Sequence, residues 1–347
     1  MSKNFIILFF LLVTTTINLF AQSNCERSLN EARTDYSNGN LYAVPGKIGD
    51  CLEEGFSKTE KVEALRLLTL TYININQQEK ARETLIRLLN LKTDYQAIKN
   101  EDPSELYSLY NDIDTDIKYF IGITFGLNLN SMRVITDRNA HPLENNISNY
   151  TPKVSIPQVG LQFLYPIKKS LIAGIEVQYQ NHKYFYKEEN DNGVGDINII
   201  EYSSNNDGIN INLMLRYMKD YYNWKPFVEI GSTGRANFTY DIINYTNNSD
   251  QTPDEENITE PQDILSNRSV FNLSLNANLG TMIKLGENYG EIKFGVSNYF
   301  RNHLNKQSRS EVYETTILDG MVLMEDDLVN IVYQLNFTFN IPFFNFK

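Results

Sequence analysis

From residue 328 to 344 apolar and polar positions alternate. Ile331, Tyr333, Leu335, Phe337, Phe339, Ile341 and Phe343 fall on one face, and Asn330, Gln334, Asn336, Thr338 and Asn340 on the other. Successive side chains of a strand point to opposite sides, so this spacing predicts a strand with one apolar face and one amide or hydroxyl face. The run is long enough to cross a bilayer when tilted.

The alternation recurs upstream. Tyr119, Ile121, Ile123, Phe125, Leu127 and Leu129 enclose Gly122, Thr124 and Gly126, and Val159, Leu161 and Phe163 enclose Gly160 and Gln162. Leu171, Ala173, Ile175, Val177 and Tyr179 enclose Glu176 and Gln178, and Ile209, Ile211, Leu213, Leu215 and Tyr217 enclose Asn210, Asn212 and Arg216. Val228, Ile230, Ala236, Phe238 and Tyr240 share one face, opposed by Glu229, Thr233, Arg235 and Asn237. Phe271, Leu273, Leu275, Ala277 and Leu279 oppose Asn272, Ser274, Asn276 and Asn278. Ile292, Phe294, Val296 and Phe300 oppose Glu291, Lys293, Ser297 and Arg301. With 328–344 these make about eight strands, an even number that suits a closed transmembrane ring. The intervals 166–170, 220–225 and 286–290 read as short turns, whereas 133–157, 184–207, 244–269 and 303–327 read as long polar loops. Alternation of turns and loops is the pattern of an outer-membrane barrel. Tyr119, Tyr165, Tyr217, Tyr221, Tyr222, Trp224, Phe343 and Phe344 lie near strand ends, as an interfacial aromatic girdle would.

Residues 22–115 carry the other period. Leu29, Ala32 and Tyr36 precede a breaker at 38–40, and a second helix covers 41–52. Val62, Leu65, Leu68 and Tyr72 mark a third helix, and Ala81, Leu85 and Leu89 a fourth. Pro103 opens a short last one. Leu29, Ala32, Tyr36 and Asn40 correspond at one constant offset to Leu65, Leu68, Tyr72 and Asn76.

The first residues follow the order of a secretory signal: Lys3, an apolar core over 5–13, then Leu19 and Ala21, with cleavage expected after Ala21. Residues 22–24 lack a lipobox ahead of Cys25. In an oxidising compartment Cys25 and Cys51 suit a disulfide, the alternative being two small buried thiols. The net charge of -12 argues against a nucleic-acid partner. After residue 21 no stretch is apolar enough for a transmembrane helix.

Candidate chemistry is sparse. His141, His182 and His303 fall in or beside expected loops with no metal-ligand spacing, and no nucleophile elbow or phosphate loop occurs. Neither a catalytic residue, a cofactor site nor a metal site is expected, and the chain reads as not an enzyme. The acidic stretch 188–196 lacks the terminal Glu of a calcium loop, and Asp250, Asp254, Glu255, Glu256 and Glu260 read as a solvated loop. The charges on the inward faces are more informative. Glu176, Glu229 and Glu291 share that face with Arg216, Arg235, Lys284, Lys293 and Arg301. An eight-stranded interior is filled by side chains, so these charges are expected to pair as a plug rather than line an ion path.

The repeat in the first module resembles tetratricopeptide repeats in its turn and second helix, around Tyr36, Tyr72 and Ala81. The likeness implies helical hairpins offering a surface to a protein partner. The second module resembles the small eight-stranded outer-membrane barrels, particularly those of the Bacteroidetes type with a helical periplasmic extension. The closing Phe343, Phe344 and Phe346 are similar to the aromatic insertion signal read by the barrel-assembly machinery. The fold expected is α+β and multi-domain. A signal peptide (1–21) is followed by a TPR-like α-helical hairpin domain (22–115) in the periplasm, then an eight-stranded antiparallel transmembrane β-barrel (116–347). The barrel would sit in outer-membrane lipid and anchor the helical domain, which would dock an unidentified envelope protein as an accessory or scaffold subunit of a barrel-assembly or type IX secretion machine. A small channel or carrier, or a lipid-modifying barrel enzyme, are the alternatives.

Overall fold

The computed structural model describes residues 24–136, 145–191, 197–221, 223–249, 252–258, 260–302 and 327–346. The expected signal peptide, His141, the 192–196 part of the acidic stretch, Tyr222, Asp250 and His303 lie outside the described residues. The chain forms two compact units, Met1–Ile117 with Phe344–Lys347, and Lys118–Phe343.

The first unit holds α1 (24–37), α2 (Val44–Glu53), α3 (Lys58–Asn74), α4 (Gln78–Leu91) and α5 (Ser104–Asn111). Ser57 and Glu60 form a reciprocal capping box that starts α3. Asn76 ends the α3–α4 turn at φ 57, a left-handed conformation that asparagine tolerates better than most residues. Leu29 and Ala32 of α1, Ile48 and Leu52 of α2, and Leu65 and Leu68 of α3 share one buried core, with Tyr36 and Tyr72 packed at its edge. Cys25 and Cys51 are joined as a disulfide. A second core gathers Leu70, Leu85, Leu89, Leu106 and Ile113 around Phe346.

The second unit is an antiparallel ring. It is built from β1 (Ile117–Thr136), β2 (Asn145–Lys168), β3 (Leu171–Asp191), β4 (Ile197–Met218) and β5 (Trp224–Ser249). Short β6 (Thr252–Ile258) and β7 (Gln262–Asp263) pair on β5, and β8 (Phe271–Leu285), β9 (Asn288–Tyr299) and β10 (Asp327–Phe344) complete the set. The neighbours run β4-β3-β2-β1-β10-β9-β8-β5, and β5 returns to β4, so eight strands close on themselves. The turns after β2, β4 and β8, the start of β1 and the finish of β10 all lie at one end, hereafter the turn end.

Outside, Ile209, Ile211, Leu213, Leu215 and Tyr217 on β4, and Leu273, Leu275 and Leu279 on β8, are exposed; inside, Asn210, Asn212 and Arg216 are buried. This is the reverse of a water-soluble sheet. Aromatic rings gather at the turn end of the belt, where Tyr119 stacks on Phe343 at 4.8 Å and Tyr221 on Trp224 at 5.8 Å. Phe344 turns away from that girdle and stacks on Phe346 in the first unit.

Two readings are corrected. Most of the intervals 133–157, 184–207 and 244–269 is strand rather than loop. β5 alone has 26 residues, where about 10 suffice to cross a bilayer. These extensions escaped the pattern because their outward face turns polar, with Lys183, Lys187, Glu201 and Ser203, once past the apolar belt. The second correction concerns β5. A register shift opposite Asp207 and Gly208 reverses the facing, so Phe238 is exposed while Tyr240 is fully buried inside.

Candidate functional site: the filled lumen

Room for the interior comes from small residues on the inward face. At Gly126 a Cβ would lie 2.6 Å from the Leu335 carbonyl and collide with the Asn336 amide. Glycine is therefore required where β1 meets β10, so that the amide can fill the lumen.

At the turn end Phe120, Leu164, Ile172, Met218, Phe227 and Met282 make a buried apolar layer, with Phe120 edge-on to Tyr289 at 5.6 Å. Beyond it sits a lattice of charges. Arg216 Nη1 and Nη2 donate to Glu291 at 2.9 and 2.8 Å, and its Nε and Nη2 to Glu229 at 2.9 and 2.7 Å. Its guanidinium also lies 3.7 Å over the Phe227 ring. Lys293 Nζ is 3.0 Å from Glu176 and 3.7 Å from Glu229. The carboxylates have further donors: Thr124 to Glu176 at 2.9 Å, Asn278 to Glu229 at 2.6 Å and Asn340 to Glu291 at 3.1 Å. Desolvating such charges costs several kcal/mol per ion, which is offset here by direct ion pairs and by the further hydrogen bonds on each carboxylate.

Above the charges lies an amide layer, in which Gln158 donates to Asn336 at 2.7 Å and Asn210 to Gln180 at 2.7 Å. Arg235 follows, buried and bonded to neutral acceptors: Asn237 at 2.7 Å, Asn206 at 2.5 Å and Asn210 at 3.2 Å. Glu176, Glu229 and Glu291 thus balance Arg216, Lys293 and Arg235 within one interior. The far end is closed by Tyr184, Tyr186, Ile200, Tyr202, Tyr240 and Ile242, against which Ile264 and Leu265 pack from the segment after β7.

Six of the eight charges read from the sequence fall in this interior, and two do not. Arg301 is exposed, 6.0 Å over the Phe271 ring, and Lys284 is half-buried beside the β8–β9 turn. Arg301 lies two residues beyond the last residue of β9 and is no longer constrained by the strand ladder. His182, expected beside a loop, is a buried inward residue of β3, 3.2 Å from Gln180 and edge-on to Tyr299 at 6.2 Å. Glu188, assigned to a solvated loop, is buried and accepts from the Tyr186 hydroxyl at 2.6 Å. Sequence reasoning missed the tyrosine closure, although Tyr184 and Tyr186 continue the inward period of Glu176, Gln178 and Gln180. Among the described residues no group of three His, Cys, Asp or Glu is arranged to hold a metal ion.

No protein-family model and no curated protein matches the sequence. Among solved structures the chain is similar to the outer membrane protein OprG of Pseudomonas aeruginosa, at 13% identity and a TM-score of 0.34, over 66% of this chain and 97% of that one. It is also similar to Neisserial surface protein A, at 8% identity and a TM-score of 0.31, over 65% and 97% of the chains. The same shares hold for the outer membrane protease OmpT of Escherichia coli, at 8% identity and a TM-score of 0.35. Likenesses this distant carry no functional detail, and the ring rests on its own pairing and exposure pattern. The expectation that the chain is not an enzyme is nevertheless withdrawn. A protease is among these similar structures, and enzyme status is not established for this chain.

Proposed function

We propose that the chain is an outer-membrane barrel protein that carries a helical protein-interaction unit in the periplasm. One observation supports this above the others: a closed ring whose outer surface is apolar and whose interior is a bonded polar lattice. Lipid is the solvent that suits such a surface, and closure leaves no backbone edge facing it. Short turns face the periplasm in barrels of this kind, which would put both termini of the ring there. The repeated hairpins of α1 to α4 support a tetratricopeptide-like reading, with docking of another envelope component, such as a subunit of barrel assembly or type IX secretion, as their role.

The filled interior weighs against a channel, since the apolar layer and the tyrosine closure bracket the charges. Carbonate-washed envelopes should retain the mature chain. Solubilised membranes should then yield a partner that is lost when residues 22–115 are deleted. An intact, inserted barrel that captures the same proteins with and without that segment would remove the docking role.

A further inference from the structure

Where the apolar belt ends at the far rim, the outer face of β2 and β3 becomes basic. On β2 the exposed Ile156 and Val154 are followed directly by Lys153. On β3 the same side carries Ile175, Val177 and Tyr179, then the buried Asn181, and then Lys183. The ladder pairs Lys153 with Lys183 face to face. Like charges directly opposite on one face of an antiparallel pair repel, and the arrangement is destabilising unless something answers it.

Nothing acidic within the described residues does. Lys153 Nζ reaches the Ser203 hydroxyl at 3.3 Å and lies 5.0 Å over the Phe185 ring. Neither lysine forms an ion pair there. Of the carboxylates on this face, Glu189 and Glu201 are engaged with Lys187 at 3.0 and 3.3 Å, and Asp207 with Tyr179 at 2.6 Å and Asn181 at 2.7 Å, while Asp241 stands two strands from Lys183, opposite Asp263. In a chain of net charge -12, an unanswered lysine pair bordering the lipid-facing belt is a specific feature.

We propose that Lys153 and Lys183 form a binding site for a net-anionic, phosphomonoester-bearing lipid headgroup of the outer leaflet. The inference rests on the barrel reading above. Height, charge and continuity fit one occupant. The acyl chains would lie on Val154, Ile156 and Val159, and an anionic headgroup would sit between two ammonium groups at the level where polar lipid begins. Lysine serves as a compact point charge for phosphate, and its methylene stem covers apolar surface below the head.

The test uses the full mature chain inserted in phosphatidylcholine nanodiscs. It is titrated with diphosphorylated lipid A, with the same lipid after phosphate removal, and with inorganic phosphate, binding being read by native mass spectrometry. The parent should bind the phosphorylated lipid. K153Q/K183Q should bind it about thirtyfold more weakly, from two lysine contributions near a charged surface, while K153R/K183R retains binding. Equal binding by the glutamine variant, equal binding of the dephosphorylated lipid, or no binding by the parent would overturn the site. Displacement of the lipid by millimolar inorganic phosphate would replace it with a small-anion site and also overturn the headgroup assignment. Heat-modifiable mobility on gels reports the closed ring in each variant. Failure of the barrel reading, seen as no insertion, is thereby distinct from an inserted ring that ignores the lipid.

Discussion

Arg216 on β4 and Glu291 on β9 meet across the interior through two parallel hydrogen bonds of 2.9 and 2.8 Å, and both side chains are fully buried. The strands that carry them are not neighbours in the ring. The pair therefore ties together walls three strands apart, which the backbone ladder cannot do. Arg216→Met would leave Glu229 and Glu291 buried without their principal cation, and we expect a loss of about 3–5 kcal/mol. Urea unfolding in detergent micelles, followed by heat-modifiable mobility, measures it. An Arg216→Met ring as stable as the parent would mean that the lattice contributes nothing.

The outer belt makes the opposite demand. Leu213 and Leu275 are 56% and 58% exposed, a surface on which a soluble protein accepts arginine freely. In lipid, Leu213→Arg or Leu275→Arg should cost about 2–4 kcal/mol if near the midplane and reduce insertion. Ser203→Arg, on the outward face of the β4 extension beyond the belt, should insert normally. Carbonate extraction of envelopes discriminates the two outcomes.

Phe346 belongs to the core of the first unit, packed with Leu70, Leu85, Leu89 and Leu106. Phe346→Ala should weaken that unit by about 3 kcal/mol, in the range for an aromatic core truncation. Limited proteolysis should cut faster within residues 24–111 while the ring keeps its heat-modifiable mobility. If insertion alone fails, the aromatic end acts only as an assembly signal.

The Cys25–Cys51 bridge spans a sequence separation of 26. Chain-entropy arguments give about 3–4 kcal/mol for a loop of that size. Reduction or Cys51→Ser should lower the thermal midpoint of the first unit, followed by circular dichroism with and without reductant. Gly55 should be intolerant of Ala, because it holds φ +133 and an added Cβ would strike the Cys25 Sγ.

Glu60 is held below its ordinary pKa by hydrogen bonds from the Ser57 side chain and then the Ser57 backbone. A depressed carboxylate contributes stability that is complete above its unfolded pKa and disappears as pH falls through the folded one. The α3 cap should therefore weaken on acidification below about pH 4.5, the ordinary Glu value. Ser57→Ala should cost about 1 kcal/mol at neutral pH and flatten this acid dependence. Thermal melts of parent and variant between neutral and acidic pH give the comparison.

The period of the side chains, by itself, determined the strands that cross the belt, the helices of the first unit and, away from bulges and strand ends, which residues turn inward. β10 shows why: an apolar residue recurs from Ile331 to Phe343 because one apolar surface runs along the whole outer face, as the proposed lipid solvent would require. That regularity ends where the solvent changes. Lys183 and Lys187 outside and Tyr184 and Tyr186 inside form a pattern without an apolar outer face, so the upper walls of β2 to β5 were not legible as strands. A single extra residue near Phe238 reverses Tyr240, and only pairing with β4 reveals it. Which charges meet is likewise tertiary. Arg216 and Glu291 are distant in sequence, and ring closure alone sets their separation, because strand tilt and register decide which inward residues share a level. Nor could the sequence foretell that Phe344 and Phe346 leave the girdle for the helical core, since beyond β10 no ladder fixes which way a ring points.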